Sequence, residues 1–125
     1  MSRLNVVEKQ NANQEQAELY DAITEALGSV PNFLKVLAQS PAALKAFLGL
    51  HTITTGGELD PLTRERIALA VAEQNACQYC VSAHTAIGRK AGLDIEEILV
   101  NRQGSSSDSK AAAALAFSKV LVEES

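Results

Sequence analysis

Apolar residues recur every three or four positions through most of the chain, with polar residues between them. This spacing gathers apolar side chains on one face of an α-helix, whereas a half-buried strand alternates apolar and polar residues one by one. In the first periodic segment, about residues 14–27, the apolar positions are Ala17, Tyr20, Ile23, Ala26 and Leu27. The pattern therefore predicts an all-α fold.

Two helix starts are marked by a proline and the residue before it. In Ser40-Pro41 and Asp60-Pro61, the first side chain can accept hydrogen bonds from the free N–H groups of the first turn, and proline fits the first helical position. The predicted helices cover about residues 14–27, 31–38, 41–55, 61–74, 77–91 and 110–124, and a further helix opens at residue 94. The polar linker at residues 104–109 is too short to separate domains, so we expect one domain over residues 1–125.

Glycines and a capping pattern mark other helix ends. Gly28 and Gly92 follow periodic segments, where a residue without a Cβ tolerates the left-handed conformation that ends many helices. Asp94 and Glu97 have the spacing of a capping box, in which each side chain bonds the backbone N–H of the other residue. We expect Asp94, Glu96 and Glu97 to cap the helix that opens there.

The composition argues against two classes of partner. The 125-residue chain has a formal charge of -4 and no basic run, so nucleic acid and anionic membranes would repel it. No apolar stretch approaches the roughly 20 residues of a membrane-spanning helix, and the first ten residues lack the apolar segment of a signal peptide. We therefore expect a cytoplasmic protein with no membrane or nucleic acid partner.

The chain has two cysteines, Cys77 and Cys80, which lie three positions apart. On a helix this spacing puts both side chains on one face, within reach of a disulfide. If Asn75-Ala76 interrupts the helical pattern, Cys77 lies in a first turn, where free N–H groups and the helix dipole lower thiol pKa values. In a reducing compartment such a pair indicates redox chemistry or metal binding.

A histidine and a glutamate complete a possible proton relay. His84 follows Cys80 by four positions on the same predicted helix, so its imidazole can exchange a proton with the sulfur. Glu65 lies on the preceding helix, and its carboxylate can orient His84 if the chain doubles back at Asn75-Ala76.

Simpler interpretations remain open at each position. The cysteines can form half of a zinc site, for which only His84 and His51 offer further nitrogen ligands, or they can fill a helical core. Glu65 can be a solvated charge between two arginines, and Tyr79 can pack against the thiols or cover them.

The spacing of these four residues matches a family pattern. Glu65, eleven residues, Cys77-x-x-Cys80, three residues and His84 resemble the E-x11-C-x-x-C-x3-H motif of the AhpD-like alkylhydroperoxidases, within the carboxymuconolactone decarboxylase superfamily. The flanking sequences at residues 63–72 and 84–92 resemble that family too. Two differences stand out. Tyr79 occupies the position of a second histidine in the best-studied branch, and relatives tend to continue past Ser125, so Ser125 is expected to be a truncated or processed end.

The resemblance implies an AhpD-like helical domain in which an antiparallel helix pair carries the cysteine motif. It also implies hydroperoxide reduction without a metal or organic cofactor, in trimers or hexamers, with a dihydrolipoamide- or thioredoxin-like thiol as electron donor. In the family's scheme, Cys80 forms the sulfenic acid, Cys77 is the proton donor and resolving thiol, and Glu65 and His84 relay protons. The same chemistry can instead reduce a partner disulfide.

Two other functions remain open. A decarboxylase-like lactone enzyme would use Glu65 and His84 as acid and base, with the cysteines incidental. A helical oligomer that senses redox state would use the dithiol to change its assembly without turning over a substrate.

Overall fold

A computed structural model describes residues 3–124 of the chain. Within that range a short 3₁₀ turn at Lys9–Asn11 precedes seven α-helices, and no strand is present. The all-α prediction is confirmed. The helices are α1 (Gln14–Leu27), α2 (Asn32–Leu37), α3 (Pro41–Thr55), α4 (Pro61–Gln74), α5 (Gln78–Ala91), α6 (Ile95–Arg102) and α7 (Ser109–Glu123).

The predicted start and stop signals lie at the helix ends. The Ser40 side chain accepts a hydrogen bond from the Ala43 N–H, and the Asp60 side chain accepts one from the Thr63 N–H. Gly28 adopts the left-handed conformation after α1, with φ of 81°, and Gly92 does so after α5, with φ of 114°. Local chemistry in the sequence therefore sets these four boundaries.

The chain divides into two compact units, Met1–Gly56 and Gly57–Ser125. The first contains α1, α2 and α3 around a core of fully or almost fully buried side chains: Tyr20, Ile23, Leu34, Ala38 and Leu44. The Tyr20 hydroxyl donates a hydrogen bond to the Val7 carbonyl at 2.8 Å, which ties the N-terminal segment to this core. The expectation of a single domain over residues 1–125 stays a prediction.

In the second unit, α4 packs against α5, α6 and α7. Contact on several sides suits its sequence, because small buried residues such as Ala70 and Ala72 let neighbouring helices approach closely. Leu69 on α4, Leu93 before α6 and Ile98 on α6 form the core of this unit. Helix α4 is therefore the element around which the unit is built.

Helices α4 and α5 form the expected antiparallel pair. Only Asn75, Ala76 and Cys77 connect them, and Ala76 has a positive φ of 50°, which reverses the chain. The Cys77 N–H donates a hydrogen bond to the Ala72 carbonyl at 2.9 Å and closes the turn. The break predicted after Gln74 is confirmed.

The capping prediction is half wrong at Glu97. The Asp94 carboxylate caps α6 by accepting a hydrogen bond from the Glu97 N–H at 2.7 Å, as expected. The Glu97 carboxylate instead turns inward and accepts hydrogen bonds from Arg66 and Asn101 and from the Ser106 and Ser107 hydroxyls. The Glu97 carboxylate thereby connects α4, α6 and the segment before α7. These donors give a nearly buried carboxylate more hydrogen bonds than a capping position would give it.

The prediction about the chain end at Ser125 lies outside the described residues. None of the helices described in residues 3–124 is long and apolar enough to cross a membrane.

Candidate active site

The turn between α4 and α5 places the two cysteines. Cys77 is the N-cap of α5, and its sulfur accepts a hydrogen bond from the Cys80 N–H at 3.3 Å. The two residues are joined by a disulfide, with their Cα atoms 5.3 Å apart. Both are partly buried, whereas the Tyr79 side chain between them is 62% exposed. The cysteine pair therefore lies at a partly exposed helix end, with an exposed tyrosine between the two cysteines in the sequence.

This end of α5 is the positive end of its dipole. The first N–H groups of a helix lack carbonyl partners within the helix and favour negative charge. Cys77 at the N-cap and Cys80, the third residue of the helix, share that environment once the disulfide is reduced. A thiolate is stabilised there relative to one in the middle of a helix.

Glu65 on α4 and His84 on α5 form a direct contact. The His84 Nδ1 and the Glu65 Oε2 lie 2.8 Å apart, with 34% and 18% of the two side chains exposed. Because an ionised carboxylate can only accept, we assign the proton of the neutral ring to Nδ1. The Nε2 atom is then unprotonated and able to act as a base.

The structure thus brings the predicted residues together as two linked pairs, Cys77 with Cys80 and Glu65 with His84. Cys80 lies one turn before His84 on the same face of α5, so the two pairs share a helix. The interpretation of Glu65 as a solvated charge fits poorly, since its carboxylate is largely covered and bonded to the ring.

The zinc alternative has no ligand set among residues 3–124. No group of three or more histidine, cysteine, aspartate and glutamate side chains in that range could hold a metal ion. His51 is an exposed residue of α3, in the first compact unit.

Sequence reasoning missed Gly88, which is buried on α5 one turn after His84. A Cβ added there would lie 3.1 Å from the Leu93 Cδ1 and 3.9 Å from the Glu65 Cβ. The missing side chain therefore leaves room for Leu93 to pack against α5 one turn after His84, whereas the distance to Glu65 is an ordinary van der Waals contact. Its position four residues after His84 was the available signal.

One depression of the second unit lies away from the motif residues. A shallow depression of about 220 Å³ is lined by Glu73, Gln74, Arg102, Lys119 and neighbouring residues, and none of the four motif residues lines it. The disulfide is therefore not at the bottom of this depression.

Comparison with known proteins gives a consistent result. The model of the carboxymuconolactone decarboxylase family matches residues 41–123. An uncharacterized protein of Bacillus subtilis, YdfG, is 30% identical over 53 residues, which is 42% of this chain and 36% of that protein. The chain thus spans about a third of that curated relative.

Two solved structures share the fold. The core of the alkylhydroperoxidase AhpD from Rhodospirillum rubrum matches with a TM-score of 0.67 and 31% identity, over 99% of this chain and 90% of that one. An uncharacterized peroxidase-related protein from Silicibacter sp. TM1040 matches with a TM-score of 0.74 and 27% identity, over 94% of this chain and 67% of that one.

Proposed function

Because the chain belongs to the carboxymuconolactone decarboxylase family, we propose that it is a dithiol oxidoreductase that reduces hydroperoxides, or a partner disulfide, through Cys77 and Cys80. One observation supports this most strongly. The cysteine pair lies at the N-terminus of the helix that also carries His84, which is bonded to Glu65. This arrangement supplies a stabilised thiolate and an oriented base on neighbouring turns.

The reaction begins with the reduced dithiol. The Cys80 thiolate attacks the terminal oxygen of a hydroperoxide, the O–O bond breaks, and the products are a Cys80 sulfenic acid and an alcohol. The Cys77 sulfur then attacks the Cys80 sulfur, forming the disulfide and releasing water. Two electrons pass from the thiols to the peroxide.

His84 and Glu65 move the protons in this scheme. The Nε2 atom of His84 accepts a proton as the Cys80 thiolate forms and returns it to the departing alkoxide. The Glu65 carboxylate fixes the ring through Nδ1 and stabilises the positive imidazolium in between. Both residues end the cycle in their starting protonation states.

A dithiol donor must then return two electrons and two protons. We propose a dihydrolipoamide- or thioredoxin-like donor in the cytoplasm, with no metal or organic cofactor, and a trimeric or hexameric enzyme. The exposed Tyr79 lies where the donor has to approach the disulfide, so its ring is available to contact the donor.

The direct contact between His84 and Glu65 also favours a second candidate, a lactone decarboxylase-like enzyme that uses this pair as base and acid. The cysteines would be incidental to that reaction, so the Cys77→Ser/Cys80→Ser variant would keep its activity. A third candidate is a redox-sensing oligomer, whose size would change with reductant in the absence of any peroxide turnover.

The test is turnover by the reduced protein of hydrogen peroxide and of an organic hydroperoxide, with dihydrolipoamide and thioredoxin each supplied as donor. We expect peroxide-dependent oxidation of at least one donor, lost in Cys80→Ser. Peroxide consumption equal in wild type and Cys80→Ser would contradict the proposal.

A further inference from the structure

Helix α7 carries an exposed apolar stripe. Ala111 and Leu115 on one side of the helix are buried, and α7 packs against α4 in the second unit. On the other side, Phe117 is 64% exposed, Val120 46% and Leu121 55%. Spacings of three and four residues put these three side chains on one face. Three neighbouring exposed apolar side chains form a candidate interaction surface.

Two charged side chains near the ends of α7 oppose the helix dipole, although Asp108 at the N-cap suits it. Lys110 lies in the first turn, at the positive end of the dipole, and Glu124 caps the last turn, at the negative end. Each charge is therefore repelled by its own helix. Both side chains are exposed. A partner that supplies the opposite charge at each end would remove this penalty.

The stripe and its charges are arranged symmetrically about Phe117. Lys110 comes seven positions before Phe117 and Glu124 seven positions after it, while Ala113 comes four before and Leu121 four after. Seven and four residues are about two turns and one turn of an α-helix, so Lys110, Ala113, Phe117 and Leu121 lie on one face, and Glu124 follows them at the C-cap. A face with this arrangement is complementary to itself when turned end to end.

We propose that α7 pairs antiparallel with α7 of a second copy of this chain, around a two-fold axis through Phe117. The two Phe117 rings then meet at the axis, the small Ala113 faces the large Leu121, and Lys110 faces Glu124. A parallel pair would instead place Lys110 against Lys110. Lys110 and Glu124 each also lie near the end of the partner helix that attracts them, which offsets their unfavourable positions on their own helix.

This surface goes beyond the proposed thiol chemistry and does not rest on it. The Cys77→Ser/Cys80→Ser variant should associate as the wild type does, whether or not the dithiol turns over peroxide. Failure of one proposal therefore leaves the other standing.

The first test measures assembly mass by sedimentation over a concentration series for the full chain. We expect Phe117→Ser to raise the dissociation constant of the α7–α7 contact by roughly a hundredfold, so that the assembly separates into halves. The matched control is Ile53→Ser on α3, where an apolar side chain of still greater exposure, 76%, is removed. A monomeric wild type, an unchanged Phe117→Ser assembly, or an equal loss in the control overturns the proposal.

The second test exchanges charges. Lys110→Glu and Glu124→Lys each suit the dipole of their own helix, so neither should lower the melting temperature of the separated chain. Each should weaken association by roughly tenfold, because two symmetry-related pairs become repulsive. The double variant should restore most of the association. Absence of that rescue rules out the antiparallel arrangement.

Discussion

The Nδ1 atom of His84 and the Oε2 atom of Glu65 lie 2.8 Å apart, although the two residues are 19 positions apart in the sequence and belong to different helices. The contact leaves Nε2 as the basic atom of the neutral ring, on the helix that starts at the cysteine pair. Our proposal depends on this contact as well as on the cysteine pair, since the contact gives the sulfur an oriented base.

The Glu65→Gln variant tests whether the carboxylate assists the base. The amide keeps the shape of the side chain but no longer stabilises a positive ring. We expect peroxide-dependent oxidation of the reduced protein to slow by roughly 10²- to 10⁴-fold near neutral pH. The rate should partly recover above about pH 8.5, where a free thiol ionises without help.

A matched control lies on the same helix. Glu73→Gln removes a carboxylate of α4 that bonds Arg102 at 2.8 Å and does not contact His84, so its oxidation rate should match the wild type. Equal rates for Glu65→Gln and wild type from pH 6 to 9 would show that Glu65 has no part in the reaction.

The two cysteines are predicted to differ in role. Cys80 shares a face of α5 with His84, so it should be the sulfur that attacks the peroxide. Cys77→Ser should then accumulate a sulfenic acid that a dimedone reagent traps, because the resolving thiol is missing. Cys80→Ser should show little trapped product. The reverse pattern would exchange the two roles.

Glu97 should make the second unit sensitive to acid. Burial would raise the pKa of this carboxyl group, but hydrogen bonds from Ser106, Asn101 and Ser107 outweigh burial and lower the pKa from 4.5 to about 2. A folded-state pKa below the unfolded value stabilises the protein fully above about pH 4.5. That contribution is lost as the pH falls towards 2.

At neutral pH, Glu97→Gln should therefore lower the free energy of unfolding by about 3 kcal/mol, measured by urea denaturation. The difference from wild type should shrink as the pH is lowered from 5 to 2. Glu96→Gln, one residue earlier and exposed, should behave as wild type at every pH. A constant difference over this pH range would contradict the role assigned to the Glu97 carboxylate.

Much of the helical layout follows from chemistry between near neighbours in the sequence. Ser40 and Asp60 cap the helices that their prolines open, and Gly28 and Gly92 end helices because they adopt positive φ. These signals act over three or four residues, so the sequence alone suffices to place them. The same holds for the disulfide-forming spacing of the cysteines.

Contacts across long sequence distances were harder to predict. The spacing around Glu97 indicated a capping box, yet its carboxylate bonds Arg66, which is 31 positions away. The free energy of the Glu97–Arg66 contact depends on the packing that brings α4 beside α6. The spacing predicts the Glu65–His84 contact only on condition that the chain reverses at Asn75-Ala76, and it does not show that Leu93 packs against Gly88.

The most direct measurement of the central claim is the mass and thiol content of the reduced protein after one equivalent of peroxide. We predict that each chain loses two hydrogens, that both thiols disappear together, and that the Cys77–Cys80 disulfide is recovered in a single peptide, with the Cys77→Ser/Cys80→Ser variant consuming no peroxide. Two free thiols after exposure, or crosslinks between chains alone, would contradict the dithiol mechanism.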